Sequence, residues 1–209
     1  MRKLVLSLVA GAAMTVASAA SATAFIGSTG GCFGAACSPG ATATTTSGGA
    51  TLMFTSGTFN QMDSNGYVAI GSGNPPTDTF GLFTLTGTTG TSAFNTPFTL
   101  LVSFTSPTGV NPASAGTFFS TIAGSVTNTN AGGVFVDFDN TEHLFNSNSG
   151  PFTLRVNDLN VSTGGALTPI TGQINAVPEP ATWAMMLFGF AGIGFAMRRR
   201  RQAGLAQIA

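Results

Sequence analysis

Charged side chains are scarce in this sequence, and basic ones are almost confined to its two ends. Only 7% of the residues are Asp, Glu, Lys or Arg, and the stretch from Phe25 to Val177 has a single basic residue, Arg155. One basic minus six acidic residues gives this stretch a charge of −5, the acidic ones being Asp63, Asp78, Asp137, Asp139, Glu142 and Asp158. Nucleic-acid binding needs clustered Lys or Arg to neutralise phosphates, so the composition argues against a nucleic-acid partner.

Residues that perform catalysis or stack on sugars are also few. His143 is the single His, and no Gly-x-Ser-x-Gly elbow surrounds any Ser, which argues against a Ser-His-Asp hydrolase. A glycosidase needs two carboxylates across a cleft, and Asp137, Glu142 and Asp158 leave that alternative open. The single Trp, Trp183, lies near the C-terminus, so aromatic platforms for sugars are scarce. We therefore expect no enzymatic activity and no cofactor.

The N-terminal residues have the parts of a secretory signal peptide. Arg2 and Lys3 precede an apolar run over residues 4–16, and small side chains follow. Ala22 and Ala24 fit the shallow pockets of signal peptidase, which predicts export through the Sec translocon and cleavage after Ala24. The alternative is an amphipathic or uncleaved anchor helix.

The C-terminal region has a proline-flanked acid, an apolar run and a basic cluster, in that order. Pro178 and Pro180 flank Glu179 and interrupt regular structure. Residues 181–197 carry no charge, and as a helix they would extend about 25 Å, slightly less than a hydrocarbon core of about 30 Å. The cluster that follows is a stop-transfer signal that keeps this end cytoplasmic, and it consists of Arg198, Arg199, Arg200 and Arg201. The alternative is a plain inner-membrane anchor with a glycine-rich face.

The sequence from Val177 to Ala184, VPEPATWA, together with the apolar run and the arginines, resembles the PEP-CTERM sorting signal in its variety with Trp-Ala after the motif. In that family the tail is recognised by exosortase, a multi-span membrane cysteine transpeptidase of bacteria that make extracellular polysaccharide. The resemblance covers about thirty residues and implies how the chain is sorted, not what its domain does. It implies that the recognition residues are Pro178, Glu179 and Pro180, with Trp183 and Ala184 marking the subfamily. The tail after the arginines, residues 202–209, is longer than is usual in the family.

Between these two ends the hydrophobic pattern has a period of two. Apolar and polar residues alternate over residues 98–105, 134–139 and 152–157, and Gly-, Pro- and Asn-rich turns separate such runs. We therefore predict an all-β fold, an antiparallel β-sandwich or jelly roll of about eight to ten strands, flanked by a signal helix and a transmembrane helix. Fifteen of the 18 Phe residues lie between Phe25 and Phe152 and should form its core.

These observations divide the chain into five predicted parts. Residues 1–24 are the signal peptide, 25–49 a low-complexity Gly/Ala/Thr segment that packs loosely or lies along the surface, 50–176 the β-sandwich domain, 177–201 the sorting signal, and 202–209 a cytoplasmic tail. Cys32 and Cys37 are the only cysteines. Outside the cytosol such a pair favours a disulfide over a zinc site, which needs four ligands.

One dense polar cluster follows the second alternating run. Asp137 and Asp139 should project from the same strand face, and with Asn140 and Glu142 they could hold a hard cation such as calcium. Because no repeated Asp/Asn/Gly loop accompanies the cluster, a solvated strand face is the preferred interpretation.

Taken together, the sequence predicts an exported, noncatalytic cell-surface or extracellular-matrix protein. It is tethered to the inner membrane, processed by exosortase, and then located at the envelope surface or outside the cell, in a biofilm matrix of extracellular polysaccharide. The alternative is a β-sandwich module that binds polysaccharide or calcium, and the second alternative is a secreted glycan hydrolase.

Overall fold

The computed structural model describes residues 22–63, 65–71, 78–87, 92–110, 116–126, 132–177 and 186–195. Within these ranges, the chain up to Ala176 folds into β-strands, and residues 186–195 form a helix. The predicted signal helix lies outside the described residues, apart from the last three residues of the signal peptide.

The β-strands are short and follow one another closely along the chain. They are β1 (Ala24–Phe33), β2 (Thr42–Ser47), β3 (Ala50–Thr55), β4 (Thr58–Met62), β5 (Tyr67–Ile70), β6 (Leu82–Gly87), β7 (Ser92–Ser106), β8 (Gly116–Val126), β9 (Gly132–Phe138), β10 (His143–Phe145), β11 (Phe152–Val156), β12 (Leu159–Ser162), β13 (Leu167–Pro169) and β14 (Gly172–Ala176). The expectation of eight to ten strands was wrong. Strands such as β10 and β13 have only three residues, too few to show an alternating pattern.

Hydrogen bonds join these strands into three sheets. The largest has six strands in the order β12-β9-β8-β7-β1-β4. Two sheets of four strands have the orders β10-β11-β14-β5 and β13-β6-β3-β2. All ladders between these strands are antiparallel, which confirms the predicted fold class at that level. A two-layer sandwich or jelly roll stays a prediction.

The alternating runs form β7, β9 and β11, with their apolar side chains in the core. Leu100, Val136 and Leu154, one from each strand, are fully buried. Among the domain Phe residues whose burial the structure describes, eleven are buried: Phe25, Phe54, Phe59, Phe80, Phe83, Phe94, Phe98, Phe118, Phe138, Phe145 and Phe152. The prediction that Phe forms the core is therefore confirmed.

The expectation that residues 25–49 pack loosely is wrong for their first part. Strand β1 lies between β4 and β7 in the six-stranded sheet. Phe25 and Cys32 are buried, and the buried hydroxyl of Thr29 donates a hydrogen bond of 2.9 Å to the carbonyl oxygen of Phe80. This strand is therefore part of the domain, and not a segment outside it.

Glycine explains why β1 can lie there with so few apolar side chains. A Cβ atom on Gly31 would lie 2.6 Å from ring atoms of both Phe54 and Phe98, and one on Gly27 would meet the ring of Phe59. The missing side chains leave room for aromatic rings from other strands, which come directly against the backbone of β1. The hydrophobic material that covers this strand is thus supplied by its neighbours.

Candidate functional site

The chain enters and leaves the β domain next to the connection between β4 and β5. The backbone N–H of Asp63 donates to the carbonyl oxygen of Thr23 at 2.9 Å, and that of Ala176 donates to Gly66 at 2.7 Å. We call this region, which comprises residues 23–24, 62–63, 65–67 and 176–177, the chain-exit pole. The predicted signal-peptidase site and the predicted sorting signal therefore join the domain at the same place.

The predicted signal-peptidase residues lie at the start of β1. Ala22 is exposed, whereas Ala24 is the first residue of the strand and pairs with Met62 of β4. A protease needs an unpaired, extended substrate, so the bond after Ala24 is open to cleavage only while this end of β1 is not paired. Cleavage at that bond stays a prediction.

The recognition residues of the predicted sorting signal lie outside the described residues. These are Pro178, Glu179, Pro180, Trp183 and Ala184, and the same holds for Arg198, Arg199, Arg200 and Arg201. Immediately before Pro178, the N–H of Val177 donates a hydrogen bond to the carbonyl oxygen of Pro151 at 2.9 Å. The domain therefore holds the chain up to Val177.

The described helix of residues 186–195 exposes its aromatic side chains. Phe188, Phe190 and Phe195 are 74%, 65% and 69% exposed. Among the described residues, no helix has the length and hydropathy needed to cross a membrane.

Cys32 and Cys37 form a disulfide with a Cα–Cα distance of 5.8 Å. The bond joins the end of β1 to the turn that follows it. The N–H of Gly34, inside this turn, donates to the carbonyl oxygen of Pro97 at 2.9 Å. The disulfide therefore closes a small loop that is also attached to β7.

The predicted calcium residues do not converge on one point. The carboxylate of Asp139 accepts hydrogen bonds from the hydroxyl of Thr141 at 2.9 Å and from its N–H at 3.2 Å, and it lies 3.4 Å from Nε2 of His143. Asp137 and Glu142 are exposed. In the part of the chain that the structure describes, no group of three or more His, Cys, Asp or Glu side chains could hold a metal ion.

The pKa of the Asp139 carboxyl is set by opposing effects. Partial burial raises the pKa, but the hydrogen bonds from Thr141 and the hydrogen bond and positive charge of His143 lower it by more in total. The pKa is therefore below its ordinary value. A carboxylate that stays ionised and is occupied by its own turn is typical of a structural residue.

A hydrogen-bond network around Asp158 was not expected from the sequence. Its carboxylate accepts from the N–H of Phe138 at 2.8 Å and from Nδ2 of Asn140 at 2.7 Å. Arg155 donates from Nη2 to Oδ1 of Asn140 at 3.4 Å. Asn140 has a positive φ of 54°, which an Asp-Asn pair after a strand could have indicated. Asp158 thus holds the end of β9 to the start of β12.

An open groove of about 360 Å³ lies where β9 and β12 pair. Residues 132–135 and 160–162 line it, and none of them is charged. Phe135 is 40% exposed and is directly opposite Asn160 in the ladder. The groove thus combines one exposed aromatic ring with an amide, and the proposed carboxylates Asp137 and Asp158 are not part of its lining.

Comparison with known proteins assigns the C-terminal region only. Residues 176–201 match the PEP-CTERM protein-sorting motif. A search of curated proteins and a search of solved structures found no significant match. The matched range begins at the last residue of β14, one residue before the predicted signal of residues 177–201, and ends at the same arginine, Arg201. The chain therefore carries a PEP-CTERM protein-sorting motif in its C-terminal region, and this motif implies an exported protein that is processed at the membrane by exosortase.

Proposed function

We propose that the chain is a noncatalytic cell-surface or extracellular-matrix protein, whose β domain is the exported cargo and whose C-terminal signal is removed during sorting. One observation carries this proposal. Strand β14 ends at Ala176, and the sorting motif begins at the same residue. The domain is therefore joined to its sorting signal without a linker.

Two features of the domain support a noncatalytic role. The carboxylates of Asp139 and Asp158 are occupied by hydrogen bonds within their own loops, and the groove at Phe135 has an uncharged lining. A glycosidase acid and base would instead face each other across a cleft.

The membrane stage of the proposal rests on the apolar segment. In this proposal the uncharged residues 181–197 lie in the inner membrane before processing, and the exposed Phe side chains of the described helix, residues 186–195, contact lipid. The four arginines hold the C-terminal end of this segment in the cytoplasm. After exosortase processing, the β domain stays at the envelope surface or enters the extracellular polysaccharide of a biofilm matrix.

The sorting step is tested in the producing bacterium with Pro178, Glu179 and Pro180 replaced by alanine. Export should continue because the signal peptide is separate, and unprocessed protein should accumulate in the membrane fraction. Mass spectrometry of wild-type protein from the cell surface should find no peptides from residues 181–197. The matched control replaces Gln202 by alanine, outside the matched motif, and should be processed normally.

Two results would count against the proposal. One is recovery of residues 181–197 in the mature surface protein, and the other is normal processing of the triple alanine variant. A further variant with Arg198 to Arg201 changed to neutral residues should let the tail slip through the membrane.

A second candidate function is polysaccharide binding at the groove beside Phe135. An exposed aromatic ring stacks on sugar rings, and the amide of Asn160 can exchange hydrogen bonds with hydroxyls. Phe135→Ala should reduce retention on the producer's own polysaccharide at least tenfold. Met53→Ala is the matched control, because Met53 is 37% exposed on β3 and does not line the groove. Equal retention of both variants and the wild type would reject this candidate.

A further inference from the structure

The chain-exit pole carries exposed apolar side chains that the sorting signal does not account for. Met62 is 70% exposed, Tyr67 is 48% exposed, and Val177 is 40% exposed. Single exposed apolar residues are common on protein surfaces. These three, however, all belong to the chain-exit pole: Met62 ends β4, Tyr67 begins β5, and Val177 directly follows β14.

The strand register brings the three side chains to this end. Met62 pairs with Ala24 at the start of β1, and Tyr67 pairs with Asn175, two residues before Val177. Leu144, which is 59% exposed, lies in the same row of the second sheet, opposite Thr153. The row continues from Thr153 through Asn175 to Tyr67, so exposed apolar side chains lie at both edges of this four-stranded sheet on the row that contains Tyr67.

The chain length limits how far this pole can be from the bilayer. Val177 is four residues before Ala181, where the apolar segment begins. At no more than about 3.6 Å per residue, four residues span at most about 14 Å. While the segment is in the membrane, the pole cannot move beyond the headgroup region by more than a short distance. No other face of the domain is restricted in this way.

We propose that the chain-exit pole is a membrane-contact surface, with Met62, Tyr67 and Val177 seated in the lipid interface while the precursor is tethered. This inference rests on the proposed membrane stage. Tyr is enriched at membrane interfaces because its ring is apolar and its hydroxyl remains hydrated, and Met and Val add apolar area.

The charge of the domain specifies the kind of contact. Its only basic residue, Arg155, pairs with Gln173, three residues along β11 from the pole end at Phe152. Asp63 is the acidic residue of the pole itself. Attraction to anionic lipid therefore contributes nothing, and the contact is apolar and insensitive to salt.

Such a contact would orient the motif for exosortase. With the domain seated on the lipid at one end and the helix inserted at the other, Pro178, Glu179 and Pro180 are confined to the membrane boundary. The contact surface would thus position the motif at the depth where a membrane enzyme reads it.

The test uses the full chain in vesicles of zwitterionic phosphatidylcholine with brominated acyl chains. Tyr67 is the only Tyr, so a Trp183→Phe variant leaves it as the only Tyr or Trp fluorophore. Its emission should be at least twofold lower in brominated than in unbrominated vesicles. The ratio should not change between about 50 mM and about 500 mM salt, a range over which screening of charges varies strongly.

The matched control moves the fluorophore to the far end of the domain with Trp183→Phe, Tyr67→Phe and Phe135→Tyr. Phe135 pairs with Ala123 of β8, and Ala123 pairs with Asn95 of β7. At the other end of β7, Ser106 pairs with Ile26 near the start of β1. Eleven residues, 106 minus 95, separate the two levels, roughly 35 Å along the strand. The fluorophore introduced at position 135 should not be quenched.

Flotation of the vesicles separates the two proposals. If the chain floats with the vesicles but Tyr67 is not quenched, the membrane-contact surface is rejected and the membrane anchor stands. If the chain does not float, both are rejected. Equal quenching at positions 67 and 135 would show an unoriented domain and would also overturn the inference. If Tyr67 is not quenched in vesicles alone and its emission spectrum changes only when exosortase is added, the surface contacts the enzyme instead of the lipid.

Discussion

The β domain and the C-terminal helix both contain many Phe residues, but they place them in opposite surroundings. In the β domain, Phe98 and Phe118 are fully buried, whereas Phe188 and Phe190 of the helix are 74% and 65% exposed. The domain supplies its own apolar medium by packing rings from several strands against each other. The ring of Phe98, for example, lies 5.0 Å from that of Phe83 and 5.2 Å from that of Phe54, measured between centroids.

This difference indicates that different contacts stabilise the two regions. The folding free energy of the domain depends on contacts among its own strands, such as those of the Phe98 ring. The aromatic side chains of the described helix are largely exposed, and in our proposal their apolar medium is the lipid bilayer. The same residue type therefore forms a core in one region and, in our proposal, part of a temporary membrane anchor in the other.

The largest effect is expected when one Phe ring is removed from each region and the losses of stability are compared. Phe98→Ala should lower the free energy of unfolding of the β domain by about 3–5 kcal/mol, because Phe98 is fully buried and contacts the rings of Phe33, Phe54, Phe83 and Phe138. Urea denaturation of the full chain in detergent, followed by circular dichroism, measures the change.

The matched variant is Phe190→Ala. It should change the same free energy by less than about 0.5 kcal/mol, because this ring is exposed outside the β domain. Similar losses for the two variants would show that the regions do not differ as described.

A smaller effect is expected from filling the space that β1 leaves for the rings. Gly31→Ala should destabilise the domain by about 1–3 kcal/mol, because the new methyl group would lie 2.6 Å from ring atoms of Phe54 and Phe98. Gly40→Ala is the control, since its nearest neighbour would be 3.8 Å away. Thermal unfolding distinguishes them, and a Gly31→Ala domain as stable as the wild type would contradict the packing described for β1.

The smallest effect concerns the polar surface of the β domain. The pKa of Asp139 is lowered in the folded state, so its stabilising contribution is present above the ordinary pKa of the carboxyl and is lost as the pH falls through the lower, folded value. Because the side chain is 42% exposed, solvent screens this contribution, and Asp139→Asn should cost less than about 1 kcal/mol at neutral pH.

Denaturation at several pH values measures this contribution. The difference between Asp139→Asn and the wild type should shrink as the pH falls below about 4. Asp137→Asn removes the same charge from an exposed position and serves as the control. A constant difference across the whole pH range would indicate that ionisation of Asp139 does not contribute.

The alternating strands could be predicted because apolar side chains lie on one face of each strand and polar side chains on the other. Residues 98–105 show apolar and polar positions in turn, and the structure buries Phe98, Leu100 and Val102. The sorting signal could be predicted because its three parts are adjacent in the sequence. Both are local patterns, which a single sequence displays.

Strand β1 could not be predicted in the same way. It also alternates, but Gly27, Thr29 and Gly31 occupy the core-facing positions after Phe25, so the pattern has little hydrophobic contrast. The rings that fill these positions come from residues more than twenty positions away, such as Phe54 and Phe98. The network of Asp158 was missed for the same reason, because its partner Asn140 lies eighteen residues earlier.

The position of β1 has a consequence for the order of events during export. Its partner in β7 emerges long after it, since Ile26 pairs with Ser106 and the two are eighty residues apart. Strand β4, the other neighbour of β1, follows much sooner, but until β7 emerges the opposite edge of β1 has no partner, and unpaired strand edges of several chains can join each other. Segments that aggregate in this way are apolar and contain few glycines, whereas β1 has glycine at positions 27, 30 and 31. The glycines that leave room for the rings in the folded domain therefore also disfavour association of β1 with other chains before β7 is exported.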